Sequence, residues 1–195
     1  MKTSSGKEEK RLVYVSKSLV DRLLEEARRQ GSSISKLVED SIRSALQVME
    51  MDYSLEKAVE VLRAFRLLKV LGGVFAPKPI LECLEANTCR TPEEILTVWR
   101  SSGRAYGIYL REKSSDPIKT LTALLETSRW ELGEVVIEST GKRYKLRLVS
   151  ASLTEGETQS ILEFVKGVLE GLNCSILGVE STRGIVLVEF EPQKQ

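Results

Sequence analysis

The chain has 195 residues, and its 29 Lys plus Arg against 28 Asp plus Glu leave a net charge of +1, which excludes a protein that coats nucleic acid with its whole surface. Any DNA contact must therefore come from a local face. Histidine is absent, which removes the commonest metal ligand, the usual proximal haem ligand and the usual general base at neutral pH, so no metal, no cofactor and no catalysis are expected.

Residues 1–9, MKTSSGKEE, are polar and small and read as a flexible arm. Residues 10–15 have extended character, with Val13, Tyr14 and Val15 as β-formers and alternate side chains on opposite faces. Leu19, Val20, Leu23, Leu24 and Ala27 then recur at helical spacing, with Ser16 or Ser18 where an N-cap belongs. Gly31 follows Arg28 and Arg29 as a helix stop. Ser33 begins a second helix with the stripe Ile34, Leu37, Val38, Ser41, Ile42, Ala45 and Leu46. A six-residue strand and two short helices cannot bury enough apolar surface alone. A second copy, pairing the strands antiparallel about a two-fold axis, would remove both edges and join four helices into one core.

These residues resemble the ribbon-helix-helix DNA-binding proteins of the Arc and MetJ type: Ala27, Gly31, Ser33, Ser35, Leu37, Val38 and Ile42 follow that family's A-x-x-x-G-x-S-x-S-x-L-I-x-x-x-I framework. The resemblance implies a homodimer, able to form tetramers on double-stranded DNA, whose paired strands lie in the major groove. It also implies a second helix aimed at a phosphate through Ser32, Ser33 and Lys36. In the family register Val13 and Val15 face inward, and Lys10, Leu12 and Tyr14 face the groove; a one-residue shift would bring in Arg11. Leu12 and Tyr14 depart from the family's polar base-reading positions, because Leu12 offers only apolar contact and Tyr14 one hydroxyl. The alternative is a ribbon that serves only dimerisation.

Residues 51–73 are expected to form a connector helix, capped by Asp52 or Ser54, with Leu55, Ala58, Val59, Leu62, Phe65 and Leu68 along one stripe and Gly72 and Gly73 at its end. Its apolar stripe needs another surface, either the second domain or the same helix of a mate. Beyond it, residues 74–79 carry two prolines and should be extended. A short helix to Ala86 and a longer one over residues 92–113 follow, the second carrying Ile95, Leu96, Val98, Trp99, Ala105, Tyr106, Ile108, Tyr109 and Leu110. Gly103 and Gly107, four apart, read as close backbone packing or as a break. Three cysteines, Cys83, Cys89 and Cys174, form neither a C-x-x-C pair nor an even set, which predicts reduced thiols in a reducing compartment.

A helix over residues 118–127 precedes a change of period to two. Residues 130–139 and 143–152 read as a hairpin around Gly141, with Tyr144, Leu146 and Leu148 on one face and Lys145, Arg147 and Val149 on the other, the basic face being solvated or touching nucleic acid. A helix over residues 155–172 and strands at 175–181 and 185–191 complete an α+β domain over residues 74–192, an antiparallel sheet covered by helices, with a polar tail at 193–195. No apolar run is long enough for a signal-peptide core or a membrane span, so a cytoplasmic protein without membrane contact is expected.

The stretches GRAYGIYL at 103–110, WELGE at 130–134, FVKGVLEGL at 164–172 and the closing VESTRGIVLVEFE resemble the four-vinyl-reductase-type domain, related to Bet-type subunits of Golgi tethering complexes and to haem nitric-oxide sensors. That resemblance implies a cavity for a small apolar ligand and a tendency to dimerise, and Trp99, Tyr106, Tyr109, Trp130 and Cys174 are the residues expected to line it, against ordinary core positions as the plainer assignment. Ser181 and Gly184 stand where that family often has cysteines, and without histidine a haem site of the sensor kind is not expected. Glu131, Glu134 and Glu138 read as exposed positions of a strand, since no nucleophile-base pair accompanies them. The sequence thus points to a dimeric DNA-binding transcriptional regulator of residues 10–50, a connector of 51–73 and a sensing or dimerising domain of 74–192. The alternative is a non-catalytic interaction or architectural protein whose head only dimerises or binds DNA without sequence preference.

Overall fold

The computed structural model describes residues 12–71, 73, 75–127 and 132–193. Lys10, Arg11 and Trp130 lie outside the described residues. The chain forms two compact units, Met1–Leu67 and Leu68–Gln195, and the division falls inside a helix.

In the N-terminal unit α1 (Lys17–Arg29) packs against α2 (Ile34–Glu50), and α3 (Leu55–Val70) follows. Residues 12–16, part of the stretch expected to be extended, are in no strand. At the end of α1 the Ser32 N–H donates to the Ala27 carbonyl at 2.9 Å and the Gly31 N–H to Arg28 at 3.2 Å, a Schellman closure that requires the left-handed φ of +63° at Gly31. Ser33 then caps α2, its Oγ accepting from the Lys36 N–H at 3.2 Å. The chain leaves α2 through Asp52, which takes a φ of +60°, and it is Ser54 that opens α3 by accepting from the Lys57 N–H at 3.1 Å.

The C-terminal unit contains α4 (Lys78–Glu85), α5 (Pro92–Lys113), α6 (Pro117–Thr127), β1 (Glu134–Thr140), β2 (Arg143–Val149), α7 (Glu155–Gly171), β3 (Cys174–Thr182) and β4 (Ile185–Pro192). The four strands form one antiparallel sheet in the order β1-β2-β4-β3. Capping boxes start both long helices, Thr91 with Glu94 on α5 and Thr154 with Glu157 on α7. One face of the sheet, with Leu146, Leu148, Val186, Val188 and Phe190, is buried under α7, whose own buried set is Ile161, Leu162, Phe164, Val165, Val168 and Leu169. On the other face Lys145 pairs with Glu189 at 3.1 Å, and Arg147 pairs with Glu134. That face is solvated and internally neutralised, so it offers nucleic acid no net cation.

α5 and α7 meet backbone to backbone. A Cβ at Gly103 would fall on the Phe164 carbonyl, one at Gly107 on the Val168 carbonyl, one at Gly167 on the Arg100 carbonyl and one at Gly171 on the Arg104 carbonyl. The four glycines form a reciprocal seam, so the spacing at Gly103 and Gly107 marks close packing and not a break. This seam rotates α5 relative to its apolar pattern. Trp99, Ser102, Gly103, Gly107 and Leu110 are buried, whereas Ile108 and Tyr109, the second expected to line a ligand cavity, are exposed.

The thiol expectation is corrected. Cys83 and Cys89 are joined as a disulfide with their Cα atoms 5.4 Å apart. The physical reason is the end of α4, where Asn87 takes a left-handed φ of +51° and the Thr88 N–H donates back to the Cys83 carbonyl at 3.0 Å, folding a six-residue spacing into contact. Cys174 is the free thiol among the described residues, and the argument for a reducing compartment loses the support of the other two.

Candidate functional site

The head residues singled out from the sequence fall in two places. Leu12, Val13, Tyr14 and Val15 are 83%, 74%, 92% and 50% exposed, so the segment before α1 presents four consecutive large side chains to solvent. Ser32, Ser33 and Lys36 are brought together at the start of α2 by the Schellman turn. Ser33 satisfies the Lys36 amide and its carbonyl accepts from the Leu37 N–H at 3.0 Å, which leaves the amides of Ile34 and Ser35 directed out of the first turn. No acidic residue occupies that turn, and Lys36 stands where the helix dipole disfavours a cation. The amides of Ile34 and Ser35 thus lie within one turn of Ser32, whose hydroxyl donates to the Ser33 carbonyl at 3.5 Å, and of the exposed Lys36. An anion held there would satisfy the amides and offset the unfavourable placement of Lys36. On the α1 side of the same turn Arg29 and Gln30 both donate to Glu26, from 2.8 Å for Arg29, and hold its carboxyl below the usual range; Arg28 has no ion pair among the described residues.

The N-terminal unit has almost no interior. Among its described residues only Ala27 is buried, and Leu19, Leu24, Ile42 and Leu46 are exposed although they belong to the apolar stripes of α1 and α2. An apolar surface of this kind in a stable protein needs a partner.

The residues expected to line a ligand pocket do not gather as one set. Trp99 and Tyr106 meet through Phe164, with ring centroids at 6.1 and 5.5 Å, and Phe75 packs edge-on to Tyr106 and to Phe164, both at 5.8 Å. These rings fill the space between them and continue into the core under the sheet. Tyr109, about one turn on from Tyr106 along α5, is 65% exposed and stands outside this cluster. Cys174 begins β3, half-buried against the core, and burial pushes its thiol up to about 11. Two residues that periodicity could not single out join this region. Phe75 sits in the segment read only as extended, and Ser102 is buried on α5 with its hydroxyl unbonded among the described residues. A serine inside a helix pattern carries no signal that its partner is missing.

Among the described residues no group of His, Cys, Asp and Glu could hold a metal, and no helix is long and apolar enough to cross a membrane. No protein-family model matches the chain, and no curated protein matches it either.

Proposed function

We propose that the protein is a homodimeric DNA-binding transcriptional regulator of the ribbon-helix-helix class, with a C-terminal α+β domain that senses a small apolar ligand or a partner. The observation that carries the reading is the coincidence, in one short unit, of an anion-ready α2 N-terminus and an apolar surface that a second copy would cover. Val13, Val15, Leu19, Leu24, Ile42 and Leu46 together expose the equivalent of about three complete residues. At roughly 2 kcal/mol for each one buried, two copies gain on the order of 12 kcal/mol. Association itself costs about 4–15 kcal/mol, so the apolar term alone brings a dimer near balance. The ladder between two copies of residues 10–15 and the filling of the four-helix core add to it.

In this reading the paired strands enter the major groove with Leu12 and Tyr14 toward the bases. Ser32, Ser33, Lys36 and the amides of Ile34 and Ser35 take a backbone phosphate on each side and fix the register. Lys10 and Arg11 add phosphate contacts. Specificity rests on apolar contact with thymine methyls and on one hydroxyl, so discrimination between sequences should be modest.

Fluorescence anisotropy with duplex DNA from the protein's own upstream region, against a scrambled duplex at two salt concentrations, tests this. Tighter, salt-sensitive binding to the upstream duplex is expected, and Lys10→Ala with Arg11→Ala, which removes two phosphate contacts from each protomer of the dimer, should lower the salt slope by about four units. Equal binding to both duplexes would instead assign an architectural role. No binding at either salt would leave the head as a dimerisation device.

A further inference from the structure

α3 carries an apolar surface that neither α1 nor α2 covers among the described residues. Leu55, Val59, Leu62 and Phe65 fall along one stripe, at 41%, 45%, 69% and 45% exposure, with Val61 and Leu68 beside it. A helix of 16 residues is marginal in water without such a stripe being packed. Its charges are graded along its length. Lys57 is held by Glu60 at 3.1 Å, which leaves Glu56 as the uncompensated acid in the first turn, while Arg63 and Arg66 carry no ion pair among the described residues.

We propose that α3 pairs antiparallel with α3 of a second copy, forming a self-association surface separate from the one in the head. A two-fold axis level with residues 60 and 61 sets Val59 opposite Leu62 of the second copy and brings Glu56 within one turn of its Arg63 and Arg66, and symmetry makes both contacts twice. A parallel pair would instead stack the two arginines of one copy beside the same two of the other. The apolar area is that of two to three residues per copy, at the low end of specific interfaces, so a micromolar association is expected. The pairing stands apart from the DNA-binding reading, because it is measured without DNA and in a chain whose head surface is broken.

The test is sedimentation equilibrium of the full chain carrying Ile42→Glu and Leu46→Glu, with circular dichroism to verify that the helices are retained. This chain is expected at twice the 21.8 kDa chain mass at tens of micromolar, and addition of Leu62→Glu and Phe65→Glu is expected to return it to the single mass. A head-broken chain that is already monomeric overturns the proposal, and so does a fourfold variant that stays dimeric. Orientation is read in the same background. Arg63→Glu with Arg66→Glu should weaken the dimer at least about tenfold, which is about 1.4 kcal/mol, and adding Glu56→Arg should restore it. A parallel pair would be indifferent to the first change, and that result, or a failure to restore, overturns the antiparallel arrangement.

Discussion

Replacing Gly107 by alanine should unfold the C-terminal unit at a markedly lower temperature. The added Cβ would stand on the Val168 carbonyl oxygen, 2.9 Å from the Gly171 Cα and 3.0 Å from the Leu172 nitrogen. All three neighbours are backbone atoms of α7 and its C-cap, so no side-chain rotation can relieve the contact and the two helices must separate. Overpacking of a core costs about 1–3 kcal/mol, and a backbone contact belongs at the upper end. Alanine returns about 1 kcal/mol of helix propensity relative to glycine, which leaves a net loss of about 2 kcal/mol. For a unit of this size 1 kcal/mol is worth roughly 3–5 °C, so Tm should fall by about 6–10 °C. Gly156→Ala is the control, because it lies in the first turn of α7 with nothing within 4 Å of an added Cβ, and it should be neutral or stabilising by up to about 1 kcal/mol. Thermal and urea denaturation followed by circular dichroism decide the matter. A Gly107→Ala chain as stable as the parent, or a Gly156→Ala chain equally damaged, would refute the idea that a backbone seam sets the distance between α5 and α7.

Gly31→Ala should destabilise the N-terminal helix pair by about 1–2 kcal/mol, solely through the left-handed φ of +63°, since nothing lies within 4 Å of the added Cβ; Gly31→Asn should lose less, and denaturant titration of helix content separates the two. The Thr158 hydroxyl, buried on α7, accepts from the Gly184 N–H at 2.9 Å and donates to the Thr154 carbonyl at 2.7 Å. Thr158→Val keeps the volume but strands the Gly184 amide in the β3–β4 turn, so a loss of about 1–3 kcal/mol is expected in urea melts. Cys174, with its thiol raised from 9.0 to about 11 by burial, should react with iodoacetamide at pH 8 about a hundredfold more slowly than a free cysteine, and thiol titration of the native chain should find this one group before reduction and three after reduction and unfolding. The same shift ties stability to pH. The unfolded thiol ionises first, so the contribution is intact below pH 9 and is lost between about 9 and 11.

The helix and strand ends were legible wherever a short-range signal specified them. Ser33, Thr91 and Thr154 occupy N-caps, Gly31 terminates α1, and the turns at Gly141 and Gly184 join the two hairpins, because caps and left-handed turns depend on residues within four positions of one another. The inward set of α7, from Ile161 to Leu169, was legible for a related reason: a helix buried against a sheet on one side and another helix on the other repeats its pattern without exception. The apolar residues of α5 gave no such clear face, and Ile108 and Tyr109 are exposed. Their orientation is decided by the glycine seam with α7, some sixty residues away, and hydrophobic spacing along one helix does not report which flank a neighbour approaches.

By itself, then, the sequence determined the helices and the four strands of the C-terminal unit, their order, the α+β class and the scarcity of interior in the N-terminal unit. The last of these follows from counting apolar positions against the area a single small unit can bury. Only the tertiary structure decided which of the aromatic residues meet: Trp99 and Tyr106 join Phe164 and Phe75 in one packed cluster, and Tyr109 faces solvent. It also decided that Cys83 and Cys89 are neighbours and that the basic strand face is neutralised by Glu134 and Glu189. Each of these depends on a turn angle or a cross-strand register. Such geometry is set by how the whole unit packs and has no counterpart in the spacing of letters along a chain.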